Sequence, residues 1–125
     1  MLFRVVLVGW CWVAAVLAPG RAQAAGPVIS EFMAANRTTL RDDDGAFSDW
    51  IELHNRAATA VSLNGWFLTD TAANLTRWRL PAVTLQPGEY FVVFASGKHR
   101  TNATAVLHTN FSLDRGGEYL ALVRP

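Results

Sequence analysis

Three adjacent carboxylates, Asp42-Asp43-Asp44, precede Gly45, with Asp49 and Glu52 close behind, and together they gather hard oxygen ligands of the kind calcium takes. The spacing does not fit a helix-loop-helix calcium loop. With Gly45 at the sixth position, Leu40 falls at the first and Ile51 at the twelfth, and neither can ligate. The plainer reading is a solvated acidic turn with Asp49 fixing the start of a strand, so no metal site is expected, and calcium at Asp42, Asp44 and Asp49 stays as the open alternative. His54, His99 and His108 stand alone, without H-x-H or H-E-x-x-H spacing. Ser30, Ser48, Ser62, Ser96 and Ser112 lack a G-x-S-x-G context, and no glycine-rich phosphate cradle is present. No catalytic residue and no cofactor are expected, and the chain reads as something other than an enzyme.

Trp50, Trp66 and Trp78 are the residues that would stack on sugars, but each sits inside an apolar stretch where a core role is commoner. Arg77, Arg79, Lys98 and Arg100 form a modest basic set, with Arg77 and Arg79 on one face if their strand is regular. In a nearly neutral domain these residues balance local acids better than they bind nucleic acid. Asn-x-Ser/Thr sequons occur at Asn36, Asn74, Asn102 and Asn110 and would matter only in a eukaryotic secretory path.

Short alternating runs must position these side chains. Residues 27 to 33 place Val28, Ser30 and Phe32 on one face and Ile29, Glu31 and Met33 on the other, and a turn follows at Ala34-Ala35-Asn36. After a polar loop from Arg37 to Ser48, residues 50 to 54 alternate with Ile51 and Leu53 on the buried face. Val61 and Leu63 lead into Asn64-Gly65, read as a type I′ hairpin with Trp66 to Thr69 as the return strand. Trp78 and Leu80 point together before Pro81, Val83 and Leu85 make a short strand, and Gln86-Pro87-Gly88-Glu89 is a turn. Residues 90 to 95 are apolar on both faces, as in a strand covered on both sides. Asp114-Arg115-Gly116-Gly117 reads as a glycine-bulge hairpin loop before a last strand over residues 118 to 123. About eight short strands at this spacing predict an all-β, immunoglobulin-like antiparallel sandwich over residues 25 to 125.

Residues 1 to 24 differ in kind. Arg4 precedes 14 uninterrupted apolar residues (5 to 18), Pro19-Gly20 breaks the helix, and Ala22-Gln23-Ala24 offers a cleavage site. This is a helical secretory signal, too short for the roughly 20 residues that span a bilayer. Cys11 lies inside the apolar run after Trp10, so it is no acylation site. With Arg4 and Arg21 removed, nine basic residues face ten acidic ones, a formal charge of −1, which supplies no field for phosphate backbones or anionic membranes. No cysteine remains, so the exported domain holds itself by burial alone.

Residues 48 to 55 (SDWIELHN), 63 to 70 (LNGWFLTD), 78 to 81 (WRLP), 85 to 98 (LQPGEYFVVFASGK), 107 to 113 (LHTNFSL) and 117 to 123 (GEYLALV) together resemble the lamin tail domain in its bacterial exported form. The resemblance covers residues 27 to 125. It implies an immunoglobulin-like sandwich that serves as a noncatalytic interaction or tethering module beside a larger domain, with a protein or cell-surface polymer as partner, no nucleic acid and no membrane after signal cleavage. The expected location is extracellular, at the cell surface or periplasmic, and the oligomeric state stays open. A carbohydrate-binding module of a secreted enzyme is the alternative. The family pattern continues beyond residue 123 with a further turn and strand, so the chain is expected to be the N-terminal part of a longer protein, or to lack its last strand and leave its neighbour's backbone groups unpaired.

Overall fold

The computed structural model describes residues 26–125, and the leader assigned to residues 1 to 24 lies outside the described residues. Eight strands follow in order: β1 (Pro27–Met33), β2 (Asp49–Asn55), β3 (Val61–Ser62), β4 (Phe67–Thr69), β5 (Trp78–Arg79), β6 (Thr84–Leu85), β7 (Tyr90–Ala95) and β8 (Ala121–Val123). They form antiparallel sheets in the orders β1-β2-β7, β5-β4-β8 and β3-β6. No helix occurs among the described residues, and the architecture is the all-β immunoglobulin-like sandwich expected.

Between the layers lies an apolar core. Ile51, Leu53, Val93 and Ala95 come from the first sheet. Leu68 and Trp78 from β4 and β5 oppose them, and Leu63, Trp66, Leu80, Leu85, Leu107, Phe111 and Leu113 complete the cluster. Each of the leucine, isoleucine, valine and phenylalanine side chains contributes about 1.5–3 kcal/mol on leaving water, which is how a domain without cross-links stays folded.

Several local expectations give way to pairing. The alternation expected along β1 breaks because a bulge lies between Ile29 and Glu31. The extra residue swaps the faces beyond it, so Phe32 pairs across from core-facing Ile51 while Glu31 pairs across from Glu52. The Asn64-Gly65 hairpin does not form: Trp66 N–H donates to Leu63 C=O at 3.0 Å, and Gly65 adopts φ 81° while Asn64 does not enter positive φ. A type I′ turn needs both central residues there, so this corner has the type II pattern and splays its arms. Accordingly β3 pairs with β6, and β4 pairs with β5 and β8. The Asp114–Gly117 turn likewise makes no hairpin. The last strand begins at Ala121 rather than residue 118 and pairs with β4.

Strand β7 is covered on both faces only at its C-terminal end. Phe94, on the outer face, is buried and stacks on His108 at 5.5 Å, whereas Tyr90 is 58% exposed and stacks flat on His54 at 4.0 Å.

Candidate functional site

The cover over the C-terminal end of β7 comes from two loops that meet on the outer face of the β1-β2-β7 sheet. The first, residues 36 to 48, is organised by buried Asn36. Its Nδ2 donates to Leu40 C=O (2.7 Å) and Ser48 C=O (2.9 Å), and its Oδ1 accepts from Thr39 N–H and Thr39 O–H. Thr39 Oγ1 in turn accepts from the Trp50 indole at 3.2 Å, which seats the loop on β2. Asp49 ties the base of the loop by accepting from Asn36 N–H and Leu113 N–H, so it does fix the start of β2. The second loop, residues 96 to 109, folds back by mutual backbone bonds between Arg100 and His108, and Leu107 and Thr109 bond Phe94.

Asp42, Asp43 and Asp44 join the two loops. Asp42, fully buried in its side chain, accepts from Lys98 Nζ (2.5 Å), Ser48 Oγ (2.6 Å) and the N–H groups of Asp44 and Ala46 (both 3.0 Å). Asp44 takes Lys98 Nζ at 2.6 Å and Arg100 Nη2 at 2.7 Å. Asp43 accepts from Arg100 Nη1 at 2.9 Å and lies 2.6 Å from His108 Nε2. The acidic run is therefore a clasp rather than the solvated turn expected, and one of its carboxylates is interior. Lys98 and Arg100 occupy the cation positions between the three carboxylates, whose oxygens lie within 4.8 Å of one another. Asp49 does not join this group, and Glu52 accepts from Ser30 Oγ (2.7 Å) on the outer face.

Burial alone would push the Asp42 carboxyl up, but Lys98, Ser48 and the two backbone N–H groups outweigh it and hold Asp42 well below the usual carboxylate range. The His108 bond lowers Asp43, and the Arg100 and Lys98 bonds lower Asp44. Asp42 and Asp44 raise Lys98, and Asp44 chiefly raises Arg100. A depressed carboxyl adds stability that is present above its unfolded value and lost as pH falls through its folded value. Raised Lys98 keeps its contribution until pH passes its folded value, above the ordinary 10.5. Urea midpoints should therefore hold level from pH 8 to about 5 and fall below about pH 4. Asp42→Asn should lower the neutral plateau and make the acid limb shallower. A wild-type loss already complete by pH 5 would contradict this assignment.

Folding also brings together residues that the sequence left apart. Ser96 Oγ lies 2.7 Å from His108 Nδ1, so Ser96, His108 and Asp43 form a hydroxyl-imidazole-carboxylate chain. The ionised Asp43 carboxylate can only accept, so Nε2 carries a hydrogen toward it, and Nδ1 meets the Ser96 hydroxyl. In such a chain the imidazole can take the hydroxyl proton while the carboxylate orients the ring. His108, however, has no exposed surface, the Ser96 oxygen also accepts from Lys98 N–H (3.3 Å), and none of the three lines the grooves of about 490, 390 and 90 Å³ on this molecule. The chain bonds loop to loop. No sequence spacing announces it, because Asp43 and His108 are 65 residues apart.

The other singled-out residues are placed as follows. Trp50, Trp66 and Trp78 are 6%, 9% and 1% exposed, which removes them as a sugar platform. Arg77 pairs with Asp70 and lies 5.3 Å over the Phe111 ring, and Lys98 and Arg100 serve the clasp, so three of the four basic residues do balance local acids. Arg79 is exposed beside Asn64 and Pro81. His54 stacks on Tyr90, and His99 adopts φ 54° with its N–H donating to Thr109 C=O at 3.0 Å. Among the sequons, Asn36 is buried and fully engaged, while Asn74, Asn102 and Asn110 are exposed. No helix of the described residues is long and apolar enough to cross a membrane.

The model of the family described as Lamin Tail Domain matches residues 21–125. No curated protein and no solved structure matches the chain. That match takes in every strand of the sandwich and both loops of the clasp, and the chain belongs to the lamin tail domain family, whose members are immunoglobulin-like and noncatalytic.

Proposed function

We propose that this chain is the exported, noncatalytic interaction module of a longer bacterial protein, tethering a downstream domain to a protein or polymer at or beyond the cell surface, or in the periplasm. The observation that carries this reading is the use of the polar cluster. In a domain of this family, the acids and bases that would do chemistry are bonded to one another across two loops, leaving a rigid sandwich whose available property is its surface. The apolar leader with its small-residue cleavage site supports export, and the −1 charge of the remainder argues against nucleic acid. The test is a fusion of residues 1 to 40 to a reporter enzyme that folds only after export from a bacterial host. Full reporter activity is expected, with at least tenfold loss on deleting residues 5 to 18. Activity indifferent to that deletion would remove export from the proposal.

A further inference from the structure

The outer edge of β7 is paired along half its length. Phe94 N–H donates to Leu107 C=O and Phe94 C=O accepts from Thr109 N–H, so Phe94 directs its backbone away from β2. Strand alternation then gives Tyr90 and Val92 the same direction, while Phe91, Val93 and Ala95 bond β2. Among the described residues neither Tyr90 nor Val92 has a backbone partner on that side. A groove of about 490 Å³ runs beside this stretch, walled by Tyr90, Phe91 and Val92 on one side and Thr104 to Leu107 on the other.

The chain protects its other open edges. β1 carries Pro27, a bulge and Glu31, and β5 and β8 are two and three residues long. These are the ordinary defences against strand addition. The open stretch Tyr90-Phe91-Val92 is as short as β8, but it contains no charge, no proline and no bulge. Glu89, exposed and accepting from Gln86 N–H at 2.6 Å, immediately precedes the open stretch and places a carboxylate at the entrance of an apolar edge.

We infer that this groove takes an extended polypeptide segment of a partner protein, added as a strand to β7 with apolar residues at alternate positions and a basic residue at its flank. The inference rests on the interaction-module reading and names its surface. Two N–H and two C=O groups at Tyr90 and Val92 give the backbone bonds, and the groove walls take the alternate side chains. From Tyr90 to Val92 the open edge is about 7 Å long, room for about three residues of an added strand before the Leu107–Thr109 segment takes over at Phe94.

The probe is an acetylated seven-residue peptide of alternating valine and threonine with a lysine at each end, titrated into the 15N-labelled chain. In the free chain the Val92 amide should exchange with solvent at least tenfold faster than those of Phe91 and Val93. Peptide should shift the Tyr90, Val92 and Val106 resonances and slow Val92 exchange. Val92→Pro, which removes an N–H that β2 does not use, should keep the fold and weaken binding at least tenfold. A peptide N-methylated on the residues facing the edge should fail on the unaltered protein, which keeps the test independent of any variant's folding, while one methylated on the intervening residues should bind. Slow Val92 exchange in the free chain, shifts confined to β1, or concentration-dependent self-association that fills the edge would each overturn the inference. Such a result leaves the export reading standing, since that is decided by the reporter fusion.

Discussion

Asn55→Ala should lower the unfolding free energy by about 3 kcal/mol or more, because it strips partners from several buried groups at once. Asn55 has no exposed surface. Three carbonyls, Thr59, Leu85 and Gln86, converge on its Nδ2 at 2.9, 3.0 and 3.1 Å, and its Oδ1 accepts from Ala57 N–H at 3.0 Å. Its own backbone bonds Glu89 C=O and Gly88 N–H. One side chain thus closes the end of the sandwich where β2, the turn after it and the β6–β7 connection meet. Asn55→Asp has the same shape and should be worse near pH 7, since a carboxylate would face three carbonyl oxygens and donate to none. The folded state would hold that carboxyl neutral, raising its value, so the Asp variant should gain stability as pH falls from 7 to 5 while the Ala variant stays level. Urea titrations at the two pH values measure both effects. An Asn55→Ala loss under 1 kcal/mol, or an Asp variant unmoved by pH, would show that water reaches this corner.

Trp78→Ala should cost about 3–5 kcal/mol, the range for emptying a large aromatic site in a packed core. Trp78 faces Leu68 across the β4-β5 pair, and the surrounding cluster of leucines cannot collapse far into the gap. The indole carries an opposing term: its Nε1 is buried with no hydrogen-bond partner among the described residues. An unsatisfied buried donor costs about 1–3 kcal/mol, which offsets part of the burial. Trp78→Phe loses volume but sheds that donor, so its cost should be about 1 kcal/mol or less. If Phe proved as damaging as Ala, volume alone would govern the site and the orphaned N–H would carry no weight.

The strands were legible wherever apolar residues alternate. Ile51 and Leu53 lie inward as expected, and the number and approximate positions of the strands hold. What failed was partner choice. Asn64-Gly65 is a strong local signal for a hairpin, yet Asn64 stays out of positive φ and the chain crosses to another sheet. The bulge at Ser30 was equally hidden, because an inserted residue shows only against the strand it pairs with. The clasp was half visible. Its acids and its bases each stand out as groups that can balance one another locally, but no spacing marks Asp42 as interior or links Ser96, His108 and Asp43 into one chain. Asn55 carried no signal beyond its place in a turn.

By itself the sequence determined the class of the protein: over residues 26 to 125, a domain without cysteine or strong charge, built of short alternating strands punctuated by glycine and proline. Those properties are local, since periodicity and turn chemistry act over a few residues. Only the tertiary structure decided which strands pair, which tryptophans are inside, that three aspartates are clasped by Lys98, Arg100 and His108, and that β7 leaves Tyr90 and Val92 open. Each of these depends on contacts between residues tens of positions apart, and such contacts are selected by how the whole sandwich packs.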